Sequence, residues 1–379
     1  MNNLHKILVL FVLVLLTGCS IQTRDTTAPA NAKETIKIGV VLPLTGPSSD
    51  GGNYVKNGLL LAQDELNKDQ DLAYRYELLF QDSMYDPKTA VSAFRKLVDI
   101  DKVKYAIGAQ GSSETLAITP IAEENKVILI TPGSQSDKIS QAGDYIFRTQ
   151  VNTAQESPFL AEHIFKALGN EPLGLLLLNT DYGESMIQNF NPKFESLGGK
   201  IANAGVERFE PKDIDYRTQL TKLKGKGVKH ILIGGTRQNG GHIIKQAKEL
   251  GMDVRFFATS PIEGKELLEI AQEAAEGLEY AYPYDPEGSR KEEKEFREKY
   301  QATYGSENEM LSANGYDTLK ILSRCIEQEK HDVEKVKTCL YNTKDYAGAS
   351  GVFSLDQNGD AVKHLIIKTV KDGTFIKLK

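Results

Sequence analysis

Short apolar runs alternate with helical periodicity along most of this chain. Thr35-Ile36-Lys37-Ile38-Gly39-Val40-Val41-Leu42 reads as a strand that runs into a turn at Pro43 and Thr45-Gly46-Pro47. Val55, Leu59, Ala62 and Leu66 then recur at helical spacing. Tyr76 to Phe80 is a second strand. Asp86-Pro87 opens the next helix with an N-cap and a first-turn proline, and Ala90, Phe94, Leu97 and Val98 form its buried stripe. Tyr105 to Gly108 is a strand, Ser112 or Ser113 to Asn125 a helix, and Val127 to Ile130 a strand that breaks at Pro132-Gly133.

The alternation restarts with a helix near Pro158 to Leu168 and the fully apolar strand Leu173 to Leu178. A helix from about Gly183, a strand near Ile201 to Val206, the helix Tyr216 to Lys224, the strand His230 to Ile233, the helix His242 to Leu250 and the strand Val254 to Phe257 follow. This rhythm predicts parallel, doubly wound sheets, and a continuous apolar strand predicts burial on both of its faces. Past residue 284 the pattern changes. A charged helix over Arg290 to Tyr300 precedes helices near Leu311 to Gln328 and Val333 to Tyr341. The terminal stretch from Val352 carries hairpin signals at Asn358-Gly359 and Asp372-Gly373. Two α/β series, late helices and terminal strands predict a chain that crosses between two lobes more than once.

The first residues differ in kind. Lys6 and the apolar stretch Ile7 to Leu16 have the make-up of a secretory signal and are too short to span a bilayer. The run Leu16-Thr17-Gly18-Cys19 resembles the bacterial lipoprotein signal. It implies residues 1–18 as signal peptide, cleavage before Cys19 and diacylation of its thiol, and hence an extracytoplasmic protein held to a bacterial membrane. An ordinary secretory signal with a chance cysteine is the alternative. Residues 19–34, small and polar, read as a linker. About 360 residues remain, more than one core usually organises. The net charge of -6 argues against nucleic acid. Cys325 and Cys339 are left. In an oxidising compartment they can form a disulfide, or they can stay as two thiols in a helical core.

Signals of catalysis are poor. The six histidines are scattered singly without metal-ligand spacing, and neither a Gly-x-Ser-x-Gly elbow nor a phosphate-binding loop occurs. The chain reads as no enzyme and as needing no metal and no cofactor.

Ile38-Gly39-Val40-Val41-Leu42-Pro43-Leu44-Thr45-Gly46 resembles the opening of the branched-chain amino acid (Leu/Ile/Val)-binding proteins, type 1 periplasmic solute receptors of ABC transporters. Asp86 to Val91, Gly108 to Thr115, Ile130 to Ser134, Tyr182-Gly183, Ala274 to Gly277 and Ser354 to Asp360 follow in that family's order. The resemblance implies two α/β lobes joined by three crossovers, near residues 147–152, 280–288 and 344–350, with the ligand in the cleft. The first lobe is then 35–149 plus 285–346, and the second 150–284 plus 347–379.

Strand ends in such folds face the ligand. Gly111-Ser112-Ser113-Glu114-Thr115 opens a helix whose first N–H groups are unpaired, a place for a carboxylate. The resemblance puts Ser112 on the ligand's carboxylate, while Ser112 or Ser113 can equally cap the helix. Glu114 suits the helix dipole but would repel an anion if it faced the cleft. In Pro132-Gly133-Ser134-Gln135, the Gly133 carbonyl matches an ammonium acceptor and Gln135 stands where threonine is common. Tyr182 matches an aromatic cover, or only packs at its helix start. Thr236 stands where the family has tyrosine, Ser260 where it has a glutamate for the ammonium, and Gly51 near another aromatic. The site is therefore expected to be roomier and more polar than one for leucine, with Glu263 as a possible replacement acid. The expected function is a monomeric, lipid-anchored receptor that delivers an amino acid or related small polar solute to ABC permease subunits. A sensor or regulator of a cell-envelope enzyme on the same fold is the alternative.

Overall fold

The computed structural model describes residues 33–285 and 287–378. Cys19, the signal and nearly all of the linker lie outside the described residues. In the first half, β1 (Glu34–Leu42), α1 (Ser49–Lys68), β2 (Tyr74–Asp82), α2 (Pro87–Arg95), β3 (Tyr105–Gly108), α3 (Ser112–Glu124), β4 (Ile128–Thr131) and β5 (Ile146–Arg148) alternate. Their strands form a five-stranded sheet of order β2-β1-β3-β4-β5, parallel throughout. Asp86 caps α2 by accepting the Thr89 amide at 2.8 Å, just ahead of Pro87, so this start follows from local chemistry alone.

The second half runs α4 (Thr153–Leu168), β6 (Pro172–Leu178), α5 (Asp181–Ser196), β7 (Lys200–Phe209), α6 (Arg217–Gly225), β8 (His230–Gly234), α7 (Arg237–Glu249), β9 (Arg255–Ala258), α8 (Lys265–Ala271) and β10 (Glu279–Tyr282). Helix α4 begins five residues before Pro158 because Asn152 caps it, accepting the Gln155 amide at 2.9 Å. Residues 173–178 of β6 are buried on both faces, as their unbroken apolar character requires.

After α9 (Lys291–Tyr304), α10 (Met310–Glu329) packs back along α1 of the first half. Two glycines permit this approach. A Cβ on Gly58 would lie 1.9 Å from the Ser312 carbonyl oxygen, and one on Gly315 would lie 2.5 Å from that of Val55. Cys325 of α10 is bridged to Cys339 of α11 (Val333–Tyr341), their Cα atoms 5.7 Å apart.

Residues 346–362, which the sequence reading gives mostly to the second lobe, form a small antiparallel sheet of their own: β11 (Tyr346–Gly348), β12 (Gly351–Leu355) and β13 (Ala361–Val362). Polar groups of α10 hold it. Asp317 accepts the amides of Ala349 and Ser350, both at 2.7 Å, and buried Lys363 donates to Asn314 at 2.6 Å. The chain joins the second sheet only at β14 (Ile366–Lys371), which turns through Asp372-Gly373 into β15 (Thr374–Lys377). That sheet has the order β15-β14-β10-β9-β8-β6-β7 and is parallel except at β14 and β15. The fold is thus two doubly wound lobes with the chain passing between them three times.

A buried ion pair fastens two of these passages. Arg148, at the end of β5, pairs through Nε with Asp360 at 2.5 Å, and both side chains are almost fully buried. Asn152 also donates to Asp360, at 3.0 Å. Removing one partner of such a pair leaves an uncompensated buried charge. Asp360→Ala is expected to lower stability by about 3–5 kcal/mol, measured by urea unfolding. A loss below about 1 kcal/mol would show that the pair does not hold the hinge.

Candidate ligand-binding site

A cavity of about 40 Å³ lies where the strand ends of the two lobes face each other. The first lobe contributes Gly111 and Ser112 after β3 and Gly133 and Gln135 after β4. The second contributes Tyr182, Thr236 and Pro261, with Leu178 at the end of β6. Ser48, Gln110, Gln150 and Tyr85 complete the polar part of the wall, and none of the lining residues is charged.

Helix α3 points its N-terminus at this cavity, and its first N–H groups have no acceptor within the helix. The Ser112 hydroxyl oxygen accepts the amides of Gln135 at 3.2 Å and Ser136 at 3.1 Å. Those bonds occupy both lone pairs, so the group has only its proton left to give. A donor beside open amides at a helix start is an arrangement for an anion.

Glu114 does not face the cavity as a charge. It turns back to accept the Gly111 amide at 2.9 Å and is 2% exposed. Burial pushes its carboxyl up to about 7. Ser113 points across the cleft rather than into the cavity: it donates to Asp181 at 2.8 Å and accepts the Asp181 amide at 3.1 Å. Lys138 pairs with the same carboxylate at 2.8 Å. Ser134 is buried beneath its loop. It shares a 2.6 Å hydrogen bond with Thr115 and donates to the Ala109 and Gln110 carbonyls at 3.1 Å, which sets the loop's shape.

From the second lobe, Tyr182 lines the cavity with its hydroxyl anchored on Thr259 at 2.6 Å. Thr236 lines it too and heads α7, bonding Asn239 through its hydroxyl at 2.7 Å. Ser260 lies behind the wall. Its amide and hydroxyl donate to Glu156 at 2.5 and 2.9 Å. The Gln135 side-chain nitrogen donates to the same carboxylate and to the Ser260 hydroxyl. Burial pushes the Glu156 carboxyl up to about 7, against the pull of these donors.

Glu263 does not supply the acid that Ser260 lacks. It is buried on the far side of Pro261, accepts from Tyr280 and pairs with Lys368 at 2.7 Å. A Cβ on Gly51 would stand 2.2 Å from the Gln110 side-chain nitrogen, so Gln110 fills the space that Gly51 leaves. Beside the cavity, Arg237 at the first turn of α7 reaches Asp50 at 3.7 Å and Glu309 at 3.4 Å and lies over the Tyr54 ring at 5.1 Å, joining the lobes again. Among the described residues no cluster of His, Cys, Asp and Glu could hold a metal ion.

Tyr85, Gln110, Gln150 and Glu156 went unread in the sequence. Tyr85 follows β2 as Gly111 follows β3, so strand-end position alone would have flagged it. No periodicity marks the glutamines or Glu156.

The family described as periplasmic binding protein matches residues 35–374. The leucine-, isoleucine-, valine-, threonine-, and alanine-binding protein of Pseudomonas aeruginosa is 29% identical over 336 residues, 87% of this chain and 88% of its own length. The Leu/Ile/Val-binding protein of Escherichia coli is 28% identical over 269 residues, 70% and 71%. The leucine-binding protein LivK of Thermotoga maritima superposes with a TM-score of 0.85 at 32% identity, over 91% of this chain and 98% of that one. The branched-chain amino acid transporter substrate-binding protein LivJ of Streptococcus pneumoniae, solved with isoleucine, gives 0.83 at 25% identity, over 91% and 100%. These relatives are solute-binding receptors and not enzymes. With the matched span covering both lobes, the chain belongs to the periplasmic binding protein family, in its type 1 branch of branched-chain amino acid-binding receptors.

Proposed function

We propose that this protein captures a small amino acid, or a closely related polar solute, between its lobes and presents it to an ABC permease. A lipid on Cys19 would keep it at the outer face of a bacterial membrane. The observation that carries the reading is the wall of the cavity. Ser112 and the α3 N-terminus offer donors on one side, and Gln135 and Gly133 stand beside them with acceptors to offer. A zwitterion needs both within a few ångströms. The cavity of about 40 Å³ has room for a few water-sized groups. The Pseudomonas aeruginosa relative, named for threonine and alanine as well as the branched-chain acids, is consistent with an amino acid ligand. Closure follows from a ligand that bonds both lobes, since such a ligand stabilises the closed arrangement over the open one.

A thermal-shift screen against amino acids, amides and small carboxylates tests the reading. A true ligand at one hundred times its dissociation constant should stabilise the protein by about 2.7 kcal/mol. No shift with any of them would sink the receptor reading. Ser112→Ala should weaken the ligand found by about 1–3 kcal/mol, because the lost donor meets a charged group. Calorimetry showing wild-type affinity would move the anion site elsewhere. For the anchor, mature protein is expected to begin at Cys19 and to partition into detergent, and Cys19→Ser to stay in the aqueous phase. Mass spectrometry that finds an unmodified Cys19 thiol would refute the lipid.

A further inference from the structure

The carboxylate of Glu156 has no cation. Its side chain comes from the first turns of α4 in the second lobe and is 1% exposed. It accepts from three neutral donors: the Ser260 amide, the Ser260 hydroxyl and the Gln135 side-chain nitrogen. Among the described residues it forms no ion pair. Among the other buried acids, Asp360 is compensated by Arg148, Glu263 by Lys368 and Glu309 in part by Arg237, while Glu114, at the opposite end of the loop pair, also lacks an ion pair among the described residues. A buried carboxylate held only by neutral groups is costly unless it takes up a proton or a positive charge arrives.

Its position says where that charge would come from. A carboxylate can only accept, so it fixes which way the Gln135 amide lies, with the NH2 group turned to Glu156. Gln135 lines the cavity, and with the NH2 group turned to Glu156 its amide oxygen is the acceptor it has to offer. The Gly133 backbone stands two residues away in the same wall. Ser112 and the α3 N-terminus stand beside them, the Ser112 hydroxyl oxygen 3.2 Å from the Gln135 backbone amide, so donors and acceptors share one small space.

We propose that Glu156 is the counter-charge for the ligand's ammonium group, acting through Gln135 and Ser260, in the role the family gives to a glutamate at the position of Ser260. The acid has moved from the loop after β9 to the start of α4 while serving the same end of the cavity. This rests on the receptor reading above and sharpens it. The solute is an α-amino acid, and the matching acid without its amino group is rejected. Glu156 is a positioning residue: it orients the amide that meets the ammonium and balances the charge behind it.

The test pairs each amino acid with its deaminated counterpart: L-alanine with propanoate, L-threonine with 3-hydroxybutanoate, L-leucine with 4-methylpentanoate. Binding of each is measured by calorimetry to wild type, to Glu156→Gln, and to Glu156→Gln combined with Ser260→Glu. In wild type at least one amino acid should bind about a hundredfold tighter than its counterpart. Glu156→Gln should cost that amino acid about tenfold or more and leave the counterpart within about twofold. A role in packing alone would weaken both alike. The double variant returns the acid to the family's position and should recover most of the loss; it also serves if the single variant folds poorly. If no probe binds the wild type, the receptor reading falls and this one with it. If counterparts bind as tightly as amino acids, or both variants keep wild-type discrimination, the receptor reading stands and the role of Glu156 is overturned.

Discussion

The buried contact between Arg148 and Asp360 is the constraint on which the rest depends. It joins the end of β5 to the turn before β13, two stretches 212 residues apart. Burying two charges is expensive, and here both partners take further hydrogen bonds that offset the cost. Arg148 donates also to the Ser136 carbonyl at 2.8 Å and to the Ser140 hydroxyl at 2.6 Å, while Ser140 and Asn152 both reach Asp360. Ser136 follows Gln135 directly. The same guanidinium therefore ties a passage between the lobes to the base of a cavity loop.

The cavity loops are built on hydroxyls instead of bulk. Thr115, Thr131 and Ser134 all turn to the Ala109 carbonyl, and Thr131 accepts the Ser134 amide at 3.1 Å. Short side chains with one proton and two lone pairs can tie two loops together without filling the space between them. The site is in this way shaped before any solute reaches it, and less of the binding energy is spent on ordering.

The readable parts of the chain were those whose cause is local. The Asp86-Pro87 cap, the apolar strand 173–178 and the Asp372-Gly373 hairpin each follow from a few neighbouring residues. Helix α7 shows the limit: it starts at Arg237, yet Gly240-Gly241 hide its periodicity before His242. Site residues were harder because their roles depend on distant partners. Glu263 looks available until Lys368, 105 residues on, takes it. Glu156 looks like an ordinary polar residue at a helix start until Ser260 folds onto it from 104 residues away. Ser113 and Ser112 are adjacent and alike, and only the arrival of α5 separates a bridging hydroxyl from a cavity hydroxyl. No spacing rule encodes contacts of that range.

The bridge from Ser113 and Lys138 to Asp181 bears on the grip between the lobes. It joins the lobes outside the cavity, so it holds them together without any residue of the cavity wall. Because the Lys138 side chain is 49% exposed, the ionic half of that bridge weakens as salt rises and the Debye length falls from about 8 Å at physiological ionic strength to about 3 Å at 1 M. The grip between the lobes thus becomes a property of the surrounding medium as well as of the protein, firmer in dilute surroundings and looser in brine.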